Sequence, residues 1–231
     1  MNRSATIDFI KIIAKALGEL NDKAVFVGGA TVPFYLPAIY EARVTEDIDV
    51  VMEIMGRTAS WANDEKLREK GFKHDTSEGA PVCRWIFRDF KVDVMSSDVS
   101  ALGFTNKWYK EGVERAIEVV SDPVKVRIFS LPYFIASKLE AFKNRGKSDY
   151  IASSDMEDII AVLEVSAEEM FEGVISETSE ELKKYLKEEF RELLKTSDFI
   201  DALPGAVFNK ANDKKAVQNI IQRLETFIKE T

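Results

Sequence analysis

The segment Asp47-Ile48-Asp49-Val50-Val51-Met52 constrains the fold more than any other stretch of the chain. Its apolar run is short and rich in β-branched residues, the pattern of a buried strand. In a strand, residues two apart share a face. Asp47 and Asp49 therefore project side by side, and Ile48 points the other way. Neighbouring carboxylates repel and raise each other's pKa unless a cation lies between them. A divalent ion is the usual remedy, and Mg²⁺ takes a few carboxylates together with substrate phosphates. A bare Asp-x-Asp is also a common solvated pair at a strand start, so its meaning rests on its surroundings.

Those surroundings are a mixed α/β half followed by a helical half. Ile7, Ile10, Ile13, Ala14 and Leu17 recur at helical spacing over residues 4–20. Ala24-Val25-Phe26-Val27 reads as a short buried strand that runs into Gly28-Gly29, and residues 30–36 resume a helical pattern. Residues 58–70 look helical and Gly71 ends them. Residues 84–87 and 90–95 read as a hairpin turning at Arg88-Asp89, and 116–120 with 124–129 as another turning at Ser121-Asp122-Pro123. From Ser130 the character changes. Ser130 and an early Pro132 start a helix running to Asn144, Ser153 or Ser154 caps one over 155–164, and helices follow near 167–173, 179–196 and 213–229, with Pro204-Gly205 as a break. The expected organisation is an α/β (α+β) domain over residues 1–123 and a helical domain over 124–231 that closes a cleft.

Two features lift the acidic pair above a solvated strand end. Asp93 lies mid-strand in Lys91-Val92-Asp93-Val94-Met95, flanked by apolar residues, and becomes a third carboxylate if its strand neighbours the first. Three carboxylates suit a two-metal phosphoryl-transfer site, with Asp93 as proton acceptor. Gly28-Gly29, without side chains, lets the backbone approach a phosphate, and the helix start beyond it offers free N–H groups. Each feature alone has an ordinary explanation, a tight turn or a half-exposed edge position. Their order along one chain makes the combination specific.

This combination resembles the DNA polymerase β-like nucleotidyltransferase superfamily, and more narrowly its minimal members grouped with AbiEii/AbiGii-type toxins. The matching blocks are Gly28-Gly29, then Arg43-Val44-Thr45-Glu46-Asp47-Ile48-Asp49, and later Lys138-Leu139-Glu140-Ala141 followed by Asp155-Met156-Glu157-Asp158-Ile159. They cover roughly residues 20–165. Many relatives carry a His where Ser154 stands, a departure beside a retained acid. The resemblance implies a nucleotidyltransferase fold, a small mixed twisted sheet with flanking helices, plus a C-terminal helical domain. It implies Asp47, Asp49 and Asp93 as metal ligands and catalytic groups, with Mg²⁺ or Mn²⁺ as cofactor. Gly28, Gly29, Thr31, Arg43 and Lys138 would contact nucleotide or phosphate. Lys138, on a helix bordering the cleft with its ammonium exposed, would neutralise the departing pyrophosphate. Asp155 would orient Lys138 or a ribose or base, and Asp158 would hold its helix against Arg145 or Lys147.

Charge and composition agree with this picture. The chain carries 32 basic and 40 acidic residues for a net charge of -8. Residues 124–150 nonetheless hold six basic against two acidic side chains, a basic island that reads as a phosphate-binding strip or as a solvated helix face. The overall acidity opposes a constitutive grip on nucleic acid. Only one cysteine, Cys83, and one histidine, His74, are present, which excludes an intrachain disulfide and a Cys/His zinc site and leaves no motif for a Cys83/His74 nucleophile pair. With no membrane-length apolar run and no N-terminal apolar core of a leader peptide, cytoplasmic location and no membrane partner are expected. Trp85, Trp108 and Tyr109 read as core residues or as base-stacking platforms, and Arg84 and Arg88 as a solvated face or phosphate contacts.

The expected activity is transfer of a nucleoside monophosphate from an NTP to a hydroxyl, with release of pyrophosphate. The acceptor is an RNA 3′ end such as that of tRNA, a protein side chain or a small molecule, and a toxin acting with a cognate antitoxin is one setting. A non-catalytic nucleotide-binding or interaction protein that kept the fold, and a helical partner module, are the competing readings.

Overall fold

The computed structural model describes residues 3–43, 45, 47–53, 57–98, 106–121, 124–145, 149–166, 178–208 and 213–231. The chain divides into two compact units, one of Met1–Pro33 with Arg43–Ser130 and one of Phe34–Ala42 with Leu131–Thr231.

The first unit is built on a seven-stranded mixed sheet. Its strands are β1 (Ala24–Val27), β2 (Asp47–Met52), β3 (Lys73–His74), β4 (Arg84–Phe87), β5 (Phe90–Ser96), β6 (Ile117–Ser121) and β7 (Val124–Ile128). They lie in the order β3-β4-β5-β2-β1-β7-β6. All four residues of β1 are buried, as an uninterrupted Ala-Val-Phe-Val run at the centre of a sheet requires. It pairs antiparallel with β2 and parallel with β7, and β2 pairs parallel with β5. Helix α1 (Arg3–Leu17) precedes the sheet, and the long connections needed for parallel pairing carry helices α2 (Val32–Tyr35), α3 (Arg57–Glu69) and α4 (Tyr109–Glu114). Ile10, Ile13 and Leu17 of α1 are wholly buried, so the 3.6-residue period is realised as packing. Fully burying each such side chain contributes about 1.5–3 kcal/mol.

The second unit is helical: α5 (Leu131–Arg145), α6 (Ser154–Val165), α7 (Glu180–Lys195), α8 (Ser197–Ala206) and α9 (Asp213–Glu230). Ser153 and Ser179 cap α6 and α7, their hydroxyls accepting from the N–H groups of Met156 and Leu182 at 3.3 Å. Such caps contribute about 1 kcal/mol each. At the other end of α6, the Arg223 guanidinium donates to the carbonyls of Leu163 at 2.7 Å and Ser166 at 2.8 Å, satisfying acceptors that the helix leaves open. Phe190 of α7 and Phe227 of α9 meet edge to face, ring centroids 5.1 Å apart. The excursion 34–42 joins this unit through Tyr35 against Phe134 and Tyr40 against Phe208.

Several expectations change. The first unit runs to Ser130, beyond 123, because β7 hydrogen-bonds β1 inside the sheet. The first helix ends at Leu17, where Gly18 takes φ +55° and starts a 3-10 helix over Gly18–Lys23. Pro204-Gly205 does not break the helical pattern, since α8 runs through both and ends at Ala206. A proline so close to a helix end removes one backbone donor in the last turns and stops nothing before them. The helix expected at 30–36 is a 3-10 turn over Gly29–Thr31 followed by the four residues of α2. The helix expected near 167–173 and the turn at Asp122-Pro123 lie outside the described residues.

Candidate functional site

The strand register decides which carboxylates meet. In the parallel pair of β2 and β5, Asp49 stands opposite Asp93 and Asp47 opposite Lys91. The two-residue turn at Arg88-Asp89 then fixes β4 on β5, with Arg84 opposite Asp93. Asp47, Asp49, Asp93 and Arg84 thus share one face of three adjacent strands. Arg84 grips two of the acids. Its Nε donates to Asp93 Oδ1 at 2.8 Å, and its Nη2 donates to Asp93 Oδ2 at 2.8 Å and to Asp47 Oδ2 at 3.0 Å. Asp93 is buried and Asp47 is half-exposed. Hydrogen bonding to Asp93 raises the Arg84 pKa still further above its ordinary value, against the opposing effect of burial.

Gly28 explains how Asp49 fits. Its φ of 71° and ψ of -166° lie in a region that only glycine enters readily. A Cβ placed there would stand 2.0 Å from Asp49 Oδ2. The glycine turn and the acidic pair, separate features of the sequence, are therefore one steric unit, in which the bare backbone of Gly28 gives the Asp49 carboxylate its place. Thr31 is completely buried, and its hydroxyl donates to the Gly28 carbonyl at 2.8 Å, bracing the turn. That differs from the phosphate contact expected of Thr31. The four-residue α2 likewise replaces the longer helix whose N-terminus was expected to receive phosphate. Gly29 is buried behind the turn, and Arg43 is half-buried on the approach to β2.

Other side chains settle into supporting roles. Burial, and after it the charge of Asp93, push the Cys83 thiol up to about 11, so it is protonated at neutral pH and is no nucleophile. Trp85 and Trp108 are buried. Trp85 stacks on His74 with ring centroids 3.7 Å apart, and His74 Nε2 lies 3.7 Å from Asp64. Arg88 turns the hairpin with φ +56° and lies over Phe87.

Lys138 and Asp155, which the sequence offered as partners, meet in the second unit, but not where Lys138 was expected. Lys138 is buried, not exposed at a rim. Its Nζ lies 3.0 Å from Asp155 Oδ1 and 2.7 Å from Asp158 Oδ2. Asp155 also accepts two hydrogen bonds at 3.0 Å from the Arg145 guanidinium, whose side chain is 70% exposed. Asp158 pairs with Lys138, and Lys147, one of its expected partners, lies outside the described residues. The cause is that α5 is apolar nearly all round. Leu131 through Leu139 are all buried, so a lysine beside its stripe is enclosed as well. Burial pushes the Asp155 carboxyl up, but the hydrogen bonds from Arg145 and the charge of Lys138 outweigh it and hold the carboxyl below its ordinary value.

The oxygen-only donors of the acidic face are the kind that Mg²⁺ and Mn²⁺ take. Their present placement does not make a metal site. Among the described residues no three Asp, Glu, His or Cys side chains are gathered to hold an ion. The Arg84 guanidinium stands among the carboxylates instead. The sequence offered Arg84 as part of a solvated face or as a phosphate contact, not as a partner of these acids. The signal that finds it is the hairpin register, since a two-residue turn at 88–89 carries Arg84 directly onto Asp93.

No protein-family model and no curated protein matches the chain. Among solved structures, it is similar to an antigenic nucleotidyltransferase-like protein from Paracoccidioides brasiliensis. The two share 16% identity with a TM-score of 0.51 over 90% of this chain and 99% of that one. JHP933 from Helicobacter pylori aligns at 12% identity and a TM-score of 0.46 over 97% of this chain and 92% of that one. The first likeness shows that the fold is nucleotidyltransferase-like, a mixed sheet with flanking helices. Among the described residues no helix is long and apolar enough to cross a membrane.

Proposed function

We propose that the chain is a nucleotidyltransferase that moves a nucleoside monophosphate from an NTP to a hydroxyl and releases pyrophosphate. The observation that carries this reading is the register that sets Asp49 opposite Asp93 on a nucleotidyltransferase-like sheet, with Asp47 beside them and Gly28 clearing space for Asp49. Asp93 receives the proton of the acceptor hydroxyl, and Asp47 and Asp49 are the other ligands of a divalent ion. Mg²⁺ or Mn²⁺ is the proposed cofactor, and when bound it neutralises triphosphate and leaving-group charge. Gly28, Gly29 and Arg43 are the proposed phosphate neighbours. Lys138 and Asp155 act on the charge balance of the second unit, with Arg145 as its solvent-facing cation. The AbiEii/AbiGii-type toxins remain the proposed relatives, with an RNA end, a protein or a small molecule as acceptor, a cognate antitoxin as partner and the cytoplasm as compartment.

One observation favours the second reading, a nucleotide-binding protein without transferase activity. Arg84 already holds Asp47 and Asp93 through three hydrogen bonds. Incubation of the full chain with each labelled NTP and Mg²⁺ or Mn²⁺, alone and with bulk tRNA, separates the two. Transfer of label that disappears in Asp47→Ala and Asp49→Ala, with melting temperatures unchanged or raised, is the expected result. Both variants remove mutually repelling charge, so a collapse of their stability would make the pair structural. Nucleotide binding without transfer under every condition would establish the second reading.

A further inference from the structure

Arg84 is placed where a charged side chain is least expected on an acidic face meant to receive a cation. It reaches from β4 across β5 to β2, and its side chain is 17% exposed. Both carboxylate oxygens of Asp93 are occupied by one planar fork, a geometry that a guanidinium provides and an ammonium does not. The same Nη2 reaches Asp47, so one side chain spans two of the three acids. Three carboxylates on neighbouring strands repel one another, and Asp93 is buried. A guanidinium there supplies the positive charge that the sheet needs to close without an ion.

We propose that Arg84 is the resident counterion of this face and competes with a divalent cation for Asp93 and Asp47. The inference rests on the reading of Asp47, Asp49 and Asp93 as a cation site. Because the ion and the guanidinium need the same oxygens, the ion enters only as Arg84 withdraws. The released guanidinium is then free to pair with the polyphosphate of an incoming nucleotide, for which its fork is suited. A metal ion alone therefore binds weakly, and nucleotide strengthens its binding by giving Arg84 a new anion.

Mn²⁺ affinity of the full chain, measured by calorimetry and by the electron paramagnetic resonance signal of free Mn²⁺, tests this without an activity assay. Arg84→Gln keeps a similar side-chain length and removes the charge. It is expected to bind Mn²⁺ about tenfold more tightly than the wild type. A non-hydrolysable NTP analogue should tighten Mn²⁺ binding in the wild type more than in Arg84→Gln. Equal or weaker Mn²⁺ binding by Arg84→Gln, with binding still abolished in Asp93→Asn, overturns the competition and leaves the cation site standing. Mn²⁺ binding unaffected by Asp47→Asn, Asp49→Asn and Asp93→Asn removes the cation site and the proposal with it. Should Arg84→Gln fail to fold, the wild type supplies the readout. The Arg84 Nε–H resonance, held by Asp93, should shift and exchange faster with solvent as Mg²⁺ is added. An unchanged resonance at saturating Mg²⁺ overturns the proposal.

Discussion

Both units gather carboxylates around cations, and they do so to different ends. On the sheet of the first unit two carboxylates, Asp47 and Asp93, share one guanidinium, Asp49 stands on the same face, and Asp47 keeps 40% of its side chain exposed. In the second unit two carboxylates, Asp155 and Asp158, face two cations, Lys138 and Arg145. There the side chains of Lys138, Asp155 and Asp158 are 6%, 3% and 2% exposed. Lys138, Asp155 and Asp158 are thus enclosed, whereas Asp47 of the first set is partly open. A buried ionic set is destabilised when one partner is removed. A partly open set is the one that solvent and ligands can reach. The contrast divides the sequence's five candidate residues into the proposed catalytic trio on the sheet and a buried ion pair between helices.

The comparison breaks most visibly at Lys138. Lys138→Ala removes the ammonium that the buried Asp155 and Asp158 share. Removing one partner of a buried ionic set typically destabilises by about 3–5 kcal/mol. Urea denaturation of the variant should show that loss. A Lys138→Ala protein of wild-type stability that had lost transferase turnover would instead return Lys138 to the catalytic centre and undo the division.

Gly28 tests the other side with a smaller expected effect. Alanine there must adopt a backbone conformation that only glycine enters readily, and its Cβ must displace the Asp49 carboxylate. A cost of about 2–3 kcal/mol follows from strain of this kind. The combination Gly28→Ala with Asp49→Ala should recover part of it, because the second change removes the obstructing oxygen. Additive losses in that double-mutant cycle would show that the glycine and the aspartate are not one steric unit.

Much of this was legible because it is local. The run from Asp47 to Met52, the glycine turn after β1 and the hairpin at 88–89 all follow from short-range periodicity and turn chemistry, and all three stand in the structure. The pairing of Arg84 with Asp93 was equally local, since counting back from that turn reaches it. The enclosure of Lys138 was not. It depends on the burial of residues 131–139 of α5, and on α6 presenting Asp155 and Asp158 one turn apart to the same ammonium. Neither the spacing within α5 nor the charge of the segment carries that information. The basic island read as a phosphate strip is divided in the same way. Lys138 is internally paired, whereas Arg145 remains largely exposed. The helix Ser197–Ala206 was hidden because Pro204-Gly205 signals a break wherever it occurs, and only the position within the last turns makes it harmless.

The smallest effect concerns the acid limb of stability. Burial works against ionisation of Asp155, and Arg145 and Lys138 more than offset it, so its folded pKa lies below the unfolded value. The unfolded state therefore takes up its proton first as pH falls. A carboxylate of this kind stabilises the fold fully above an unfolded pKa near 3.9, and that contribution is lost as pH drops through the lower folded pKa. Asp155→Asn removes the charge but keeps the shape, and Asp158 still holds Lys138. The variant should lose about 1–2 kcal/mol at neutral pH, the scale of a hydrogen bond to a charged partner. The gap between wild type and variant should narrow on acidification below pH ~4. Paired urea titrations at neutral and acid pH measure both. A gap that stays constant with pH would show that Asp155 acts through packing alone, and the second unit's cluster would no longer be held by its charge balance.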